Sequence, residues 1–105
     1  MADQILANGT GGVSSRKFEI KTPREPVTCV MTGSTLGVDT IDLEISYDDG
    51  TNFQKAYDPN GTQIQLSATR TGMSFDKPGI FRFTRIASTT NSVGVAAYGD
   101  FKEVL

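Results

Sequence analysis

The sequence predicts an all-β protein, a single antiparallel β-sandwich of Ig-like or jelly-roll character with an extended N-terminal arm. Three observations predict this class. Apolar residues recur at every second position in several short segments, which is the period of a half-buried strand. Turn-forming residues separate these segments, and no segment has the apolar stripe and caps of a helix. A small closed barrel is the alternative architecture.

The length of 105 residues fits one domain with one core. Residues 7–15 are rich in Gly and small polar side chains that bury little surface, so residues 1–15 are predicted to form a flexible arm. The arm either frays or becomes ordered on a neighbouring subunit or partner. Residues 16–105 are predicted to form the sandwich.

The first half of the sandwich sequence contains two alternating segments and one stronger one. Strands are predicted at residues 16–22 and 27–32, with Pro23 and Pro26 interrupting pairing between them and a turn-rich connection at 33–39. Residues 41–47 alternate most clearly. We expect the apolar side chains of this segment, Tyr47 included, on one face and Asp42 and Glu44 in water.

The second half continues the pattern of short strands and reversals. Asp-Gly at 49–50 predicts a hairpin turn with a return strand at 53–57, and Asn-Gly at 60–61 predicts a second reversal. Further strands are predicted around 64–68, 73–75, 80–86 and 93–98. Phe81 and Phe83 are expected to face the core. Turns or loops are predicted at 69–72, 76–79 and 87–91, and Phe101 is placed in a tail that folds back.

Charge and residue types exclude several functions. Ten Lys and Arg against twelve Asp and Glu give a net charge of -2, which disfavours nucleic acid and anionic membranes as partners. The chain has no His, which excludes Ser-His-Asp and Cys-His catalysis and His-ligated metals. The single Cys29 cannot form an internal disulfide and is expected to be a buried thiol. We therefore expect no enzymatic activity, no cofactor and no metal.

The sequence also lacks the segments that direct a chain to a membrane. No apolar stretch is long enough to span a bilayer, and the N-terminus has neither the basic region nor the apolar region of a secretory signal. We expect synthesis in the cytoplasm and no membrane partner.

The acidic and aromatic residues offer few sites. Asp48, Asp49 and Asp58 lie where turns are predicted, and neighbouring carboxylates at a strand end diverge, so turn formation explains them better than paired-carboxylate catalysis or a calcium site. Tyr57 is the best candidate for an exposed aromatic contact, although a sugar platform without Trp would be thin.

Three motifs occur in an order that resembles a known class of proteins. Residues 45–53, ISYDDGTNF, resemble an S-x-D-G-G-T-N-W/F hairpin. Residues 78–83, PGIFRF, resemble a P-G-x-Y/F-R-hydrophobic strand, and residues 93–95 resemble a closing S-V-x-V strand. This order resembles the small β-sandwich structural proteins of tailed bacteriophages, namely capsid decoration (cement) proteins and head or tail accessory proteins. Asp49 departs from the motif in place of Gly, and Phe53 stands for the more usual Trp.

The resemblance implies a non-enzymatic virion structural protein. A decoration protein of this kind binds the major capsid protein on the assembled shell, often as a homotrimer on the capsid surface, and stabilises the shell. A flexible strand can add to the sheet edge of another chain, so the arm and the strand after it are the expected partner-binding segment. The residues concerned are Val13, Ser14, Ser15, Arg16, Phe18 and Ile20. The alternative function is a carbohydrate-binding or adhesion module of a phage tail or host surface, with Tyr57 in contact with the sugar.

Overall fold

The computed structural model describes residues 2–21, 27–33, 40–75, 78–86 and 92–104 of the chain. Within these residues there are eleven strands and no helix, and the strands form two antiparallel sheets. The β-sandwich prediction is therefore confirmed. The strands are β1 (Ala2–Gly9), β2 (Val13–Ser14), β3 (Lys17–Ile20), β4 (Val27–Gly33), β5 (Ile41–Ser46), β6 (Gln54–Lys55), β7 (Gln65–Leu66), β8 (Gly72–Phe75), β9 (Gly79–Arg85), β10 (Val93–Tyr98) and β11 (Lys102–Val104).

The first sheet has four strands in the order β1-β10-β4-β8. β10 is central and pairs with β4 from Val93 opposite Gly33 to Tyr98 opposite Thr28. The first five residues of β10 are buried and are all Val, Ala or Gly, whereas the sixth, Tyr98, is exposed. β1 and β8 are the two edges of this sheet.

The second sheet has seven strands, and its main path is β11-β3-β9-β5-β6. β9 and β5 form its centre, with Leu43 opposite Phe83 and Ile45 opposite Phe81. The short strands β2 and β7 pair with β9 and β5 respectively. The expected inward placement of Phe81 and Phe83 is confirmed, because both side chains are buried.

The core between the sheets is built around Phe18. Its ring lies 5.9 Å from the rings of Phe75 and Phe81, 6.1 Å from Phe83 and 6.0 Å from Phe101, centroid to centroid. These separations are those of favourable aromatic pairs. The tail residue Phe101 thus does fold back onto the core, and β11 continues from it along β3.

The hairpin after β5 is held by side chains as well as by its backbone. Asp49 and Gly50 have φ values of 60° and 88°, the left-handed region that an Asp-Gly turn requires. The Ser46 hydroxyl accepts a hydrogen bond from the Gly50 amide at 2.8 Å and donates one to the Asp48 carboxylate at 2.9 Å. The return strand is shorter than predicted, since β6 covers only residues 54–55.

Tyr47 lies on the same side as Leu43 and Ile45, as the alternation predicts, and is 77% exposed because β5 ends at Ser46. One prediction for the β5 segment is wrong. Asp42 is expected in water but is buried. Its carboxylate accepts a hydrogen bond from the Thr40 hydroxyl and lies 3.8 Å from the Lys55 ammonium group, which compensates its burial.

The structure also corrects the flexible arm predicted for residues 1–15. β1 lies in the first sheet against β10, and β2 lies in the second sheet against β9. The reason is that Ile5 and Leu6 are both buried in the core, each 4% exposed. A register shift between Gln4 and Leu6 lets both of these adjacent side chains reach apolar surroundings.

Several predicted turns lie outside the described residues. These are the interruption at Pro23 and Pro26, residues 34–39 of the turn-rich connection, Asp76 and Lys77 of the Pro-Gly turn, and the polar loop at 87–91.

Candidate functional site

The candidate functional site is a groove of about 380 Å³ on one side of the sandwich, with walls from both sheets. β8, an edge of the first sheet, forms one wall. The other wall comes from the second sheet, namely β5, β9 and the segment from Ala56 to Ile64 that runs along β5. The groove volume falls in the range of ordinary ligand sites.

Apolar side chains make the floor of the groove. Leu43 and Phe81 come from the second sheet and Met73 from β8, and all three are buried. Phe75 lies beside them, with its ring 5.2 Å from that of Phe81. These residues face inward because each occupies the core-facing position of its strand, so the groove is a lateral opening of the hydrophobic core.

Two tyrosines and one arginine line the groove where it meets solvent. Tyr47 and Tyr57 are 77% and 59% exposed, and Arg70 is exposed as well. Among the described lining residues Arg70 is the one ionised group. A groove with an apolar floor, aromatic hydroxyls and a single cation at its rim suits a ligand with an apolar body and a negative charge.

The position of Tyr57 follows from the turn that comes after it. The Asp58 carboxylate accepts hydrogen bonds from the amides of Asn60 and Thr62, both at 2.9 Å, and Gly61 has a φ of 82°. This turn brings Gln63 opposite Tyr57 in an antiparallel bridge. Tyr57 is thus exposed on an ordered turn, while its role in binding stays a prediction.

The wall formed by β8 presents backbone groups that have no hydrogen-bond partner among the described residues. The Met31 amide donates to the Thr71 carbonyl at 2.8 Å, which makes residues 31 and 71 a hydrogen-bonded pair. Hydrogen-bonded and non-hydrogen-bonded pairs alternate in an antiparallel ladder, so Met73 and Phe75 direct their amides and carbonyls toward β4. Gly72 and Ser74 therefore direct theirs away from the sheet. The side chain of Ser74 is exposed.

The predicted partner-binding segment lies apart from this groove and is divided between surface and core. Val13 is 47% exposed, whereas Phe18 and Ile20 are 0% and 1% exposed. Burial in the core corrects the expectation that Phe18 and Ile20 contact a partner, because in a strand every second side chain faces the opposite sheet. The groove residues other than Tyr57 were not identified as site residues, since a groove between sheets has no local sequence signal.

The remaining predicted segment residues hold the two N-terminal strands in place. Ser15 is buried, and its hydroxyl accepts a hydrogen bond from the Phe83 amide at 2.9 Å where the pairing of β2 and β3 with β9 is interrupted. The Ser14 hydroxyl lies 3.0 Å from that of Thr84. Arg16 forms ion pairs with Asp3 and Glu103, both at 2.8 Å, and these hydrogen bonds raise its pKa.

The surroundings of the acidic residues and of the Cys29 thiol indicate that these groups stabilise the fold. Asp48 accepts hydrogen bonds from the Asn52 amide and side chain, both at 2.8 Å, and these bonds lower its pKa. Burial raises the pKa of the Cys29 thiol to about 12. The described part of the chain contains no group of three or more Cys, Asp or Glu side chains arranged to hold a metal ion. It also contains no helix long and apolar enough to cross a membrane.

The fold and the groove define a class, a two-sheet antiparallel β-sandwich that is open along one side. No protein-family model and no curated protein matches the sequence. Among solved structures, the crystal structure of the SPBc2 prophage-derived protein YomS is similar in fold, with a TM-score of 0.66 at 14% sequence identity. The likeness covers 99% of this chain and 92% of that chain, so it extends over the whole sandwich.

Proposed function

We propose that the protein is a non-enzymatic structural component of a bacteriophage virion. The observation that carries the proposal is the likeness in fold, over nearly the full length of both chains, to a prophage-derived protein. The three sequence motifs that resemble small phage structural proteins support the same class independently, because they were identified from residues alone.

Within that class we infer a capsid decoration protein. It binds the major capsid protein on the assembled shell, at the capsid surface, as a homotrimer. A ligand that binds only the assembled state stabilises that state by mass action. A small sandwich whose hairpin and N-terminal strands are fixed by side-chain hydrogen bonds suits this task, since a rigid body loses little conformational entropy on binding.

The test is composition and stability of purified particles from the phage that encodes the chain. We expect mass spectrometry to find the protein in intact virions and in heads separated from tails. We expect heads that lack it to release DNA at a lower temperature, with recovery when purified protein is added. Absence from virions would overturn the proposal. Presence in tails but not heads would overturn only the decoration role.

A second candidate function is a carbohydrate-binding or adhesion module of a phage tail or host surface. The observation that favours it is the pair of exposed tyrosines at the rim of the groove, because aromatic rings with a polar end suit the apolar faces and hydroxyls of sugars. Glycan-array binding that is lost in Tyr57→Ala, and kept in the Tyr98→Ala control on β10, would support it.

A further inference from the structure

The groove and the β8 edge form one surface, and the second sheet extends further along it than the first sheet does. Among the described residues, the first sheet ends at β8, whereas the second sheet continues past β5 to β6 and β7. The inner face of the wider sheet therefore extends beyond the narrower one. Leu43 and Ile64 of the wider sheet and Met73 of β8 line the space in which a fifth strand of the first sheet would lie.

Three observations agree on what fills this space. The amides and carbonyls of Gly72 and Ser74 point out of the sheet, and a neighbouring strand would satisfy them. The groove beside them is apolar, so it accepts the side chains on one face of such a strand. The exposed Arg70 forms no ion pair with a described residue and offers a cation to a carboxylate.

We propose that β8 is an acceptor edge for an extended segment of a partner protein, which adds a strand to the first sheet. The segment carries apolar residues at alternate positions, which enter the groove, and an acidic residue that meets Arg70. Residues 70–75 span about 17 Å as extended chain, which corresponds to a segment of roughly six residues. The proposal concerns this surface alone and does not require the protein to belong to a virion.

In this mode of binding, main-chain hydrogen bonds supply the affinity, and pockets for every second side chain supply the specificity. It differs from the arm mode expected from sequence, because here the protein accepts a strand instead of donating one. The N-terminal strands are already paired within the protein and are not needed for it.

The primary variant is Ser74→Pro, which removes the outward amide. Pro is tolerated on an edge strand when its nitrogen faces away from the sheet, and the Ser74 amide makes no bond to β4. Ser74→Ala is the matched control, because both changes remove the 2.9 Å contact between the Ser74 and Thr28 hydroxyls but only Pro removes the amide.

The probe is a display library of linear random peptides selected on the full chain. We expect enriched peptides to have apolar residues at positions i and i+2 and at least one acidic residue. Synthetic copies should bind Ser74→Ala as they bind wild type. They should bind Ser74→Pro at least about tenfold more weakly, because a main-chain hydrogen bond is lost and its partner is left unsatisfied. Arg70→Glu should weaken acidic peptides and favour basic ones.

A second readout keeps the proposal testable if Ser74→Pro does not fold. Methylation of one backbone nitrogen in the bound peptide should abolish binding when that nitrogen faces β8, as it does at every second residue. Methylation at the intervening residues should be tolerated. In wild type, the Gly72 and Ser74 amides should gain protection from hydrogen exchange when the peptide is added.

Four outcomes would overturn the proposal. One is the absence of enriched peptides, and another is equal affinity for wild type and Ser74→Pro. A third is self-association of the protein that requires the Ser74 amide, which would make a second copy the occupant. The fourth is glycan binding at the groove that excludes peptides.

Discussion

At the scale of single residues, the Arg85 side chain connects three segments of the sandwich. It occupies a core-facing position of β9 and is only 6% exposed. Its guanidinium donates to the carbonyls of Gly11 at 2.6 Å, Ala7 at 2.8 Å and Val93 at 2.7 Å. Backbone carbonyls thereby compensate a buried positive charge and join the N-terminal segment to β9 and β10.

We expect Arg85→Met to lower the free energy of unfolding by about 2–4 kcal/mol, because buried carbonyls lose a charged donor. Urea denaturation measures the loss, and hydrogen exchange should show that residues 2–14 open before the rest. Arg70→Met is the matched control, since Arg70 is exposed and makes no described ion pair. An equal effect of both variants would contradict the role given to Arg85.

At the scale of elements, β1 is a strand that stabilises the core through two adjacent apolar residues. Gly94 on β10 allows its close approach, because a Cβ at that position would collide with the Leu6 carbonyl. The register shifts along β1 also make this edge irregular, which disfavours pairing with another chain. β1 is thus a structural edge, in contrast to the regular edge of β8, which no described strand covers.

We expect Ile5→Ala to lower the free energy of unfolding by about 2–4 kcal/mol, the usual loss for a large aliphatic side chain removed from a core. Val13→Ala removes an aliphatic side chain from the same N-terminal segment, but Val13 is 47% exposed and its loss should cost less than about 0.5 kcal/mol. Thermal denaturation followed by circular dichroism compares the two. If residues 2–14 were a flexible arm, neither variant would change the free energy of unfolding.

The β5–β6 hairpin turn depends on an ionised Asp48. Its hydrogen bonds with Asn52 and Ser46 place its folded pKa below the ordinary value of 3.8. A depressed pKa contributes stability that is present above the unfolded value and is lost as pH falls through the folded one.

We therefore expect wild type to be more stable than Asp48→Ala at pH 7, with the difference shrinking below about pH 4. Denaturant unfolding at a series of pH values measures this difference. Asp49→Ala is a poor control because Asp49 has a φ of 60°, so Glu19→Ala on β3 is used instead, since the Glu19 carboxylate forms no ion pair with a described residue. A difference that does not change with pH would contradict the role of the charge.

At the scale of the whole molecule, the two sheets enclose one core, and Cys29 reports on its integrity. Cys29 lies on β4, an interior strand of the first sheet, and is fully buried. The thiol becomes accessible when the sheets separate. Its folded pKa of about 12 lies above its ordinary value of 9.0, so the thiol ionises at a lower pH in the unfolded state.

We expect a thiol reagent to label native Cys29 at the rate of global unfolding at pH 8, and to label it rapidly in urea. The raised pKa means that its contribution to stability is full below about pH 9 and decreases as pH rises toward 12. At a reagent concentration at which labelling outpaces refolding, the labelling rate and the separately measured unfolding rate should agree. Labelling much faster than unfolding would show that the core opens locally at β4.

The class of fold and the positions of most strands could be predicted from the amino-acid sequence. Alternation and turn chemistry are local properties, so the central strands β5 and β9 and the turn at Asp49 and Gly50 could be predicted from neighbouring residues. The return of the tail at Phe101 to the core could also be predicted, because burial of an aromatic side chain is favourable.

Strand pairing and the position of the groove depend on contacts between distant segments, so they could not be predicted from local sequence. Ile5 and Leu6 are adjacent, so they break the strand alternation, and only a register shift against β10 buries both. Asp42 is buried and Tyr47 exposed because the neighbouring elements, and not the period of two, set their surroundings. The groove beside β8 exists because one sheet is wider than the other. Sheet width depends on pairings between distant residues, for which a local pattern carries no information.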